Sequence, residues 1–389
     1  MLILGGIKIE GIVKKVELLI IILVISFFSY MYSSYEHYNQ LNRYSLYLVL
    51  FMNVLITILE FKNILQYKKK QLIIVLIIIA NVFFTSIINN NGFGAIGVII
   101  NLLCLILLFD VFRIEKKHLR LICLIIAVGD ILFLMSNKIN YNTNTCGYLA
   151  FAMLPFSLVY FLSNSMDKVI RRMIGIIGAV TVIVFTFFTI QGSDSRGALL
   201  GFLLFILVVC TSNKILKNKR IYNTLIFILM LSILCFVFLY VNLWNNGVEF
   251  AIPFTDKSLY SGREAIWTEL LKVFNSGDNY LYGLGSKYNI QSFEVMNVHN
   301  SALYILIMYG GINFILFYAL FYTTLNKTNK YIDNNINKIF MATIIGMLIV
   351  SFFETNLEWT DVNIYFILAV LFCCSTDKED REEIIKSEK

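Results

Sequence analysis

Three short stretches of the sequence each place a basic side chain next to residues that favour the start of a helix. They are Gly192-Ser193-Asp194-Ser195-Arg196-Gly197, Ser261-Gly262-Arg263-Glu264 and His299-Asn300-Ser301. Backbone amides at the amino end of a helix are open donors that favour anions, and an arginine can bind a phosphate with two parallel hydrogen bonds. An imidazole can exchange a proton near neutral pH. This combination predicts binding of a phosphate-bearing ligand beside a proton acceptor.

The stretch at Ser261 predicts an amphipathic helix. Ser261 and Glu264 have the spacing of a capping box, and an apolar face recurs from Ile266 to Phe274. Arg263 falls in the first turn, where a cation opposes the helix dipole. A bound anion therefore explains Arg263 better than a helix-stabilising role does.

The other two stretches repeat this arrangement. Arg196 lies beside the first amides of an apolar run, and His299 directly precedes another, for which Asn300 or Ser301 is the predicted cap. The predicted caps of the run at Arg196 are Ser193, Asp194 or Ser195.

Each feature has a simpler explanation when it is taken alone. Arg196 fits an anchor at the membrane surface, Arg263 a solvated loop charge, and His299 a hydrogen-bonded cap without a catalytic role. The glycines of the sequence YGLG, residues 282–285, need mean only a turn. All three basic residues are predicted to lie on the outer side of the membrane at the start of a helix. Together they therefore indicate a functional site more strongly than any one of them does.

Three acidic residues lie within or beside the predicted spans. Asp130 lies inside an apolar run, where an ionisable side chain is costly and marks a functional site unless it pairs within the helix bundle. Glu354 and Glu358 are predicted to lie in a wetted, that is solvent-exposed, turn of the last external loop and to have no function.

The elements that must position these residues are membrane-spanning helices. The chain of 389 residues is 58% hydrophobic and 15% charged, with only two prolines, which is too apolar for a soluble domain. Apolar runs long enough to cross a bilayer recur along it. About twelve spans are predicted, near 16–32, 45–61, 71–88, 95–112, 120–136, 149–163, 172–190, 197–212, 222–241, 301–322, 338–353 and 362–374.

The basic residues predict the orientation of these spans. Short cytoplasmic loops are rich in Lys and Arg, and alternate segments, starting at the amino end, hold 25 of the 32 Lys and Arg. Both termini are therefore predicted to be cytoplasmic, with residues 16–31 as a retained signal anchor. The predicted fold is a single all-α membrane domain over residues 1–389, with a large extracytoplasmic loop at 242–300 that contains short amphipathic helices.

The pieces SDSRGALLGFL, SGREAIW, YGLGS and VHNSALYILIMYGG, in this order, resemble the family of O-antigen ligases and polysaccharide polymerases of bacterial envelopes. The resemblance covers about residues 190 to 325. It implies a glycosyltransferase of the cytoplasmic membrane that takes a glycan from undecaprenyl diphosphate on the outer face. By this resemblance Arg196 and Arg263 bind the donor diphosphate and His299 activates the acceptor, with Ser195, Ser261, Glu264 and Asn300 in support.

The residues agree with that implication. Two arginines can neutralise a diphosphate leaving group without a metal, and the chain contains no Asp-x-Asp pair. We therefore expect an inverting enzyme without metal or cofactor, which polymerises lipid-linked repeat units. Its expected partners are the glycan donor and acceptor, the lipid bilayer and a chain-length regulator, and nucleic acid is not expected.

Two alternatives stay open. A ligase of the same family would pass the glycan to a lipid or protein acceptor. A lipid-linked oligosaccharide flippase would belong to a similar pathway, but it should carry cations inside its spans. The predicted spans are almost free of Lys and Arg, which favours chemistry over transport.

Overall fold

The computed structural model describes residues 3–4, 7–8, 50–51, 53–89, 93–109, 111, 114, 116–135, 143–163, 169–248, 260, 262–275, 279–285, 298–354 and 363–373. The predicted first span at 16–32, Ser261 and Glu358 lie outside the described residues. So do parts of the predicted loop at 242–300.

The described residues are almost entirely helical. Two short strands near the amino end, β1 (Ile3–Leu4) and β2 (Ile7–Lys8), pair antiparallel with Ile3 opposite Lys8. The helices are α1 (Phe61–Tyr67), α2 (Lys69–Ile88), α3 (Phe93–Leu108), α4 (Lys116–Met135), α5 (Thr143–Ser163), α6 (Val169–Gly192), α7 (Arg196–Cys210), α8 (Asn213–Lys217), α9 (Lys219–Asn245), α10 (Arg263–Asn275), α11 (Asn279–Tyr282), α12 (Ser301–Leu325), a 3-10 helix (Thr328–Tyr331), α13 (Asn335–Val350) and α14 (Asn363–Phe372).

The helices coincide with the ten predicted spans between residues 71 and 374. Among the described residues, six helical segments are long and apolar enough to cross a membrane: Lys69–Ile88, His118–Met135, Asn144–Ser163, Val169–Gly192, Lys219–Asn245 and Ser301–Tyr331. The shorter apolar segments are Ile96–Leu108, Arg196–Cys210 and Asn335–Val350. The structure is therefore that of an all-α membrane protein, while the count of about twelve spans is not confirmed.

Helix α5 lies at the centre of the bundle, where it packs against α4, α6, α7 and α13. Its residues 146–157 are all buried. Helices α7 and α13 cross at two glycines, since a Cβ on Gly201 would lie 2.9 Å from the carbonyl oxygen of Gly346. Small residues let helix backbones approach this closely in membrane proteins.

Peripheral helices expose apolar side chains in place of polar ones. Along α6 these include Ile170, Ile174, Ile177 and Phe188, all more than half exposed. A surface of this kind is stable against lipid tails and not against water. The outer faces of α2, α6 and α9 therefore form the lipid-facing surface.

Two buried charges inside the bundle have protein partners. Asp130, which is fully buried, accepts a hydrogen bond of 2.6 Å from the Ser157 hydroxyl, so it pairs within the bundle. Lys68 donates to the carbonyls of Ile106 and Phe109 at the carboxyl end of α3, where a cation complements the helix dipole.

Helix α12 is kinked where the YGLG segment enters it. Gly310 has φ 78° and ψ 173° in the middle of the helix, and the freed carbonyl of Ile307 accepts the Leu284 amide at 2.6 Å. A Cβ on Gly310 would lie 2.0 Å from the carbonyl oxygen of Leu281, and one on Gly283 would lie 2.6 Å from that of Ile307. These glycines do more than form a turn, because they let a loop backbone enter the kink.

Candidate active site

Glu354 is the centre of the charged cluster that the structure forms from distant parts of the chain. One of its carboxylate oxygens, Oε1, lies 3.0 Å from Nη2 of Arg263, and the other, Oε2, lies 2.9 Å from Nδ1 of His299. The Glu354 side chain is 9% exposed, and the side chains of Arg263 and His299 are 15% and 25% exposed. We call these three residues the carboxylate cluster.

The prediction that Glu354 lies in a wetted turn is wrong. Residues 351–354 follow α13 and fold back against the start of α12, where Ser301 donates its backbone amide to the Ser351 carbonyl at 3.1 Å and its hydroxyl to the Glu354 carbonyl at 3.2 Å. These contacts remove Glu354 from solvent and aim its carboxylate at two cationic or proton-exchanging groups.

Helix α10 presents Arg263 to this carboxylate, and the predicted amphipathic helix is confirmed. Its apolar face is buried, as the sequence indicated, by Ile266, Trp267, Leu270, Leu271 and Phe274. The Trp267 indole N–H donates to the carbonyl of Val298 at 2.7 Å. This bond fixes α10 to the residue that directly precedes His299.

The start of α10 uses Glu264 in part as predicted. The Glu264 carboxylate is buried and accepts the backbone amide of Gly262 at 2.9 Å, and it lies 3.5 Å from the hydroxyl of Tyr240 on α9. Gly262 has φ 88°, a conformation that glycine adopts without strain. Glu264 therefore supports the turn that carries Arg263.

His299 has a backbone conformation that is uncommon for residues other than glycine. Its φ is 53°, which lies in the left-handed region and has a cost for a residue with a Cβ. Asn300 follows as the cap of α12, as predicted, and its side chain accepts the Leu303 amide at 2.8 Å. The Asn300 amide group donates to the carbonyls of Ile233 and Phe352, so this residue ties α12 to α9 and to the turn that carries Glu354.

The turn at Arg196 differs in one respect from its prediction. Ser195 is the residue that precedes α7, but its side chain makes no capping hydrogen bond. The Ser193 hydroxyl donates to the Ile190 carbonyl at 2.8 Å, back toward α6. The prediction that the side chain of Ser195 or Ser193 caps α7 is therefore wrong. Ser195 is buried beside Gly147 of α5, and Ser193 bonds to the preceding helix.

Arg196 is the first residue of α7, and the next residue, Gly197, lies beside the turn that carries Glu354. A Cβ on Gly197 would lie 2.8 Å from the Tyr148 hydroxyl and 3.1 Å from the Phe353 ring. Tyr148 of α5 therefore lies beside the start of α7. The amino ends of α7, α10 and α12 thus meet around the turn at residues 351–354, while direct contact with the carboxylate is made by Arg263 and His299.

Glu354 and Tyr148 are the members of this site that sequence reasoning missed. Glu354 carried one usable signal, because it is an acid at the end of a predicted span, on the same predicted side as Arg196, Arg263 and His299. Tyr148 directly precedes the predicted span at 149–163, and its residue type gave no reason to single it out.

The comparison with protein families gives one match, to the family described as O-antigen ligase, over residues 181–318. Residues 181–318 are therefore similar to the O-antigen ligase family. The matched region contains Arg196, Arg263 and His299, whereas Glu354 lies beyond it. The family and the apolar helices together support a membrane protein that transfers glycans. Comparisons with curated proteins and with solved structures give no match.

Proposed function

We propose that this protein is a membrane glycosyltransferase that polymerises undecaprenyl-diphosphate-linked repeat units on the outer face of the cytoplasmic membrane. The observation that carries the proposal is the carboxylate cluster. It joins an arginine and a histidine of the region matched by the O-antigen ligase family through one buried carboxylate.

In this proposal His299 is the general base and Glu354 its positioning residue. A carboxylate that accepts the Nδ1–H of an imidazole fixes the tautomer and leaves Nε2 to accept a proton. The acceptor sugar hydroxyl attacks the anomeric carbon of the donor and gives its proton to Nε2. The bond from that carbon to the diphosphate oxygen breaks, and its electron pair leaves with the diphosphate. Attack from the opposite face inverts the anomeric centre.

The arginines bind the diphosphate as its charge develops. Arg263 is held at one nitrogen by Glu354, which orients the rest of its guanidinium, and Arg196 stands beside the open amides of α7. This charge neutralisation makes a metal or cofactor unnecessary in the proposed reaction. Glu264 and Asn300 support the helix starts that carry Arg263 and His299.

The proposed topology follows from the same arrangement. We place the cluster and residues 242–300 outside the cytoplasmic membrane, both termini inside, and the whole chain in one membrane domain. A chain-length regulator is a further proposed partner.

The second candidate is a ligase that passes the glycan to a lipid or protein acceptor. The description of the matched family favours it, and the same cluster would serve both reactions, because donor and base are used identically. The two differ in the acceptor alone.

The test uses the purified full chain in detergent with a synthetic undecaprenyl diphosphate oligosaccharide, without added metal. Product length is read on a gel. We expect a ladder with the wild type, loss of activity by about 1,000-fold in His299→Ala, as for removal of a general base, and wild-type activity in His118→Ala, whose histidine lies on α4 away from the cluster.

Two outcomes would change the proposal. An active His299→Ala enzyme would remove the proposed base. Transfer of a single glycan to an added lipid or protein acceptor, with no ladder, would identify the ligase.

A further inference from the structure

A second site lies at the other end of the same helices. It is a cavity of about 680 Å³ between α4, α5, α6, α7 and α13, together with the residue before α13. Its lining residues are Leu119, Arg120, Val159, Leu162, Ser163, Arg172, Ile176, Val209, Asn334, Asn335, Ile336, Lys338 and Ile339. We call this cavity the basic pocket.

The charge of the basic pocket is cationic. Arg120, Arg172 and Lys338 line it, and no carboxylate is found among the described residues of the lining. This differs from the ion pairs elsewhere, such as that between Lys217 and Asp333. Three cations that share one cavity without a lining acid favour an anionic ligand.

Two of these cations are already fixed in position by the ends of helices. Arg120 donates from Nη2 to the carbonyl of Ser163, the last residue of α5, at 3.3 Å, and Lys338 donates from Nζ to the carbonyl of Thr211 after α7 at 2.7 Å. A guanidinium has five N–H donors and an ammonium three. Each of these bonds uses one donor, which anchors the head group and leaves others to bind a ligand.

The remainder of the lining is apolar, which a small inorganic anion does not require. Leu119, Val159, Leu162, Val209 and Ile339 stand next to the cations in the same cavity. The pocket also borders the lipid-facing surface, because Ile176 lines it and is 48% exposed. A ligand with a charged head and an apolar chain matches both parts of the lining.

We propose that the basic pocket binds an anionic phospholipid of the surrounding bilayer, with its phosphodiester at Arg120, Arg172 and Lys338. The acyl chains would continue along α6 among exposed residues such as Ile174 and Ile177. Basic pockets between helices at the membrane surface bind anionic head groups in this manner. The site is separate from the proposed active site and does not depend on the function proposed for it.

The test measures the melting temperature of the purified full chain in detergent, with phosphatidylglycerol, phosphatidylcholine or inorganic phosphate added. We expect phosphatidylglycerol to raise it by about 5 °C, as for a ligand well above its dissociation constant, and the other two to have no effect. Arg172→Gln should lose more than half of this shift. Arg171→Gln is the matched control, because Arg171 is exposed like Arg172 and does not line the pocket.

An equal shift with phosphatidylcholine, or an unchanged shift in Arg172→Gln, would overturn the proposal. A shift with inorganic phosphate alone would assign the pocket to a soluble anion and overturn the lipid. If Arg172→Gln does not fold, native mass spectrometry of the wild type decides the question. Preferential retention of phosphatidylglycerol over phosphatidylcholine would support the site, and equal retention would refute it.

Discussion

The carboxylate cluster and the basic pocket stand at opposite ends of the same three helices. Helix α5 carries Tyr148 at one end and Ser163 at the other, while α7 and α13 likewise reach from one site to the other. The 15 residues of α7 separate them by about 22 Å at the usual rise per residue.

The two sites use cations differently. In the cluster, Arg263 and His299 share one buried carboxylate, so their orientation is set by a charged partner. In the pocket, Arg120 and Lys338 are held by backbone carbonyls and their charge is not neutralised by a lining acid. A fixed, paired geometry suits proton transfer, and an unneutralised cationic cavity with apolar walls suits the binding of an amphipathic anion.

The largest expected effect comes from making the cluster resemble the pocket by removing its carboxylate. In Glu354→Gln, the side-chain N–H group either faces Nη2 of Arg263 as a donor facing a donor, or donates to Nδ1 of His299. The first arrangement loses the bond to Arg263, and the second selects the tautomer protonated at Nε2, which can no longer accept a proton there. We expect glycan transfer to fall about 1,000-fold, as when a histidine loses the partner that fixes its tautomer. The transfer assay described above measures this.

The control for that variant is Glu269→Gln, on the same helix as Arg263 and only partly buried. It should retain activity. Equal losses in the two variants, or full activity in Glu354→Gln, would contradict the special place of Glu354.

The next effect concerns α12, which begins at the cluster and contributes no residue to the lining of the pocket. In Gly310→Ala the added Cβ meets the Leu281 carbonyl at 2.0 Å, with φ at 78°. The steric and backbone strain should lower the free energy of unfolding by about 3 kcal/mol. Thermal or denaturant unfolding in detergent measures this.

Gly192→Ala provides the comparison for that experiment, because a Cβ on Gly192 meets nothing within 4 Å. Its stability should match the wild type. A stable Gly310→Ala protein would show that the loop does not enter the kink of α12.

The smallest effect should come from loosening the support of His299. In Trp267→Phe the Val298 carbonyl loses its indole donor, and the backbone before His299 is less constrained. We expect turnover to fall about 10-fold and stability by about 1 kcal/mol, with the phosphatidylglycerol shift unchanged. Trp244→Phe, at an exposed tryptophan, should alter neither turnover nor stability. A loss of the phosphatidylglycerol shift in Trp267→Phe would mean that the two sites are coupled.

Much of the helical architecture could be predicted because it depends on local sequence. Apolar runs must form helices in lipid, where each backbone polar group needs an internal partner, and the ten predicted spans after residue 70 coincide with helices. The number of membrane crossings is harder to predict from the sequence. Helices such as α7 and α13 are too short for length alone to decide whether they cross.

The candidate site was predictable only where it depends on neighbours in sequence. Asn300 caps its own helix, and Arg263 opens an amphipathic one. The bond from Arg263 to Glu354 spans 91 residues, and no spacing rule reaches so far. The three pocket cations were attributed to topology, because a count of charges does not show which of them share a cavity.

The burial of α5 has a consequence for biosynthesis. The protein surrounds this helix, which also contains Pro155 and the polar residues Asn144 and Ser157, so lipid alone is a poor environment for it. It packs most extensively against α4 and α6, which are translated directly before and after it. We therefore expect the three segments to leave the translocon together, with α5 retained until α6 has been made.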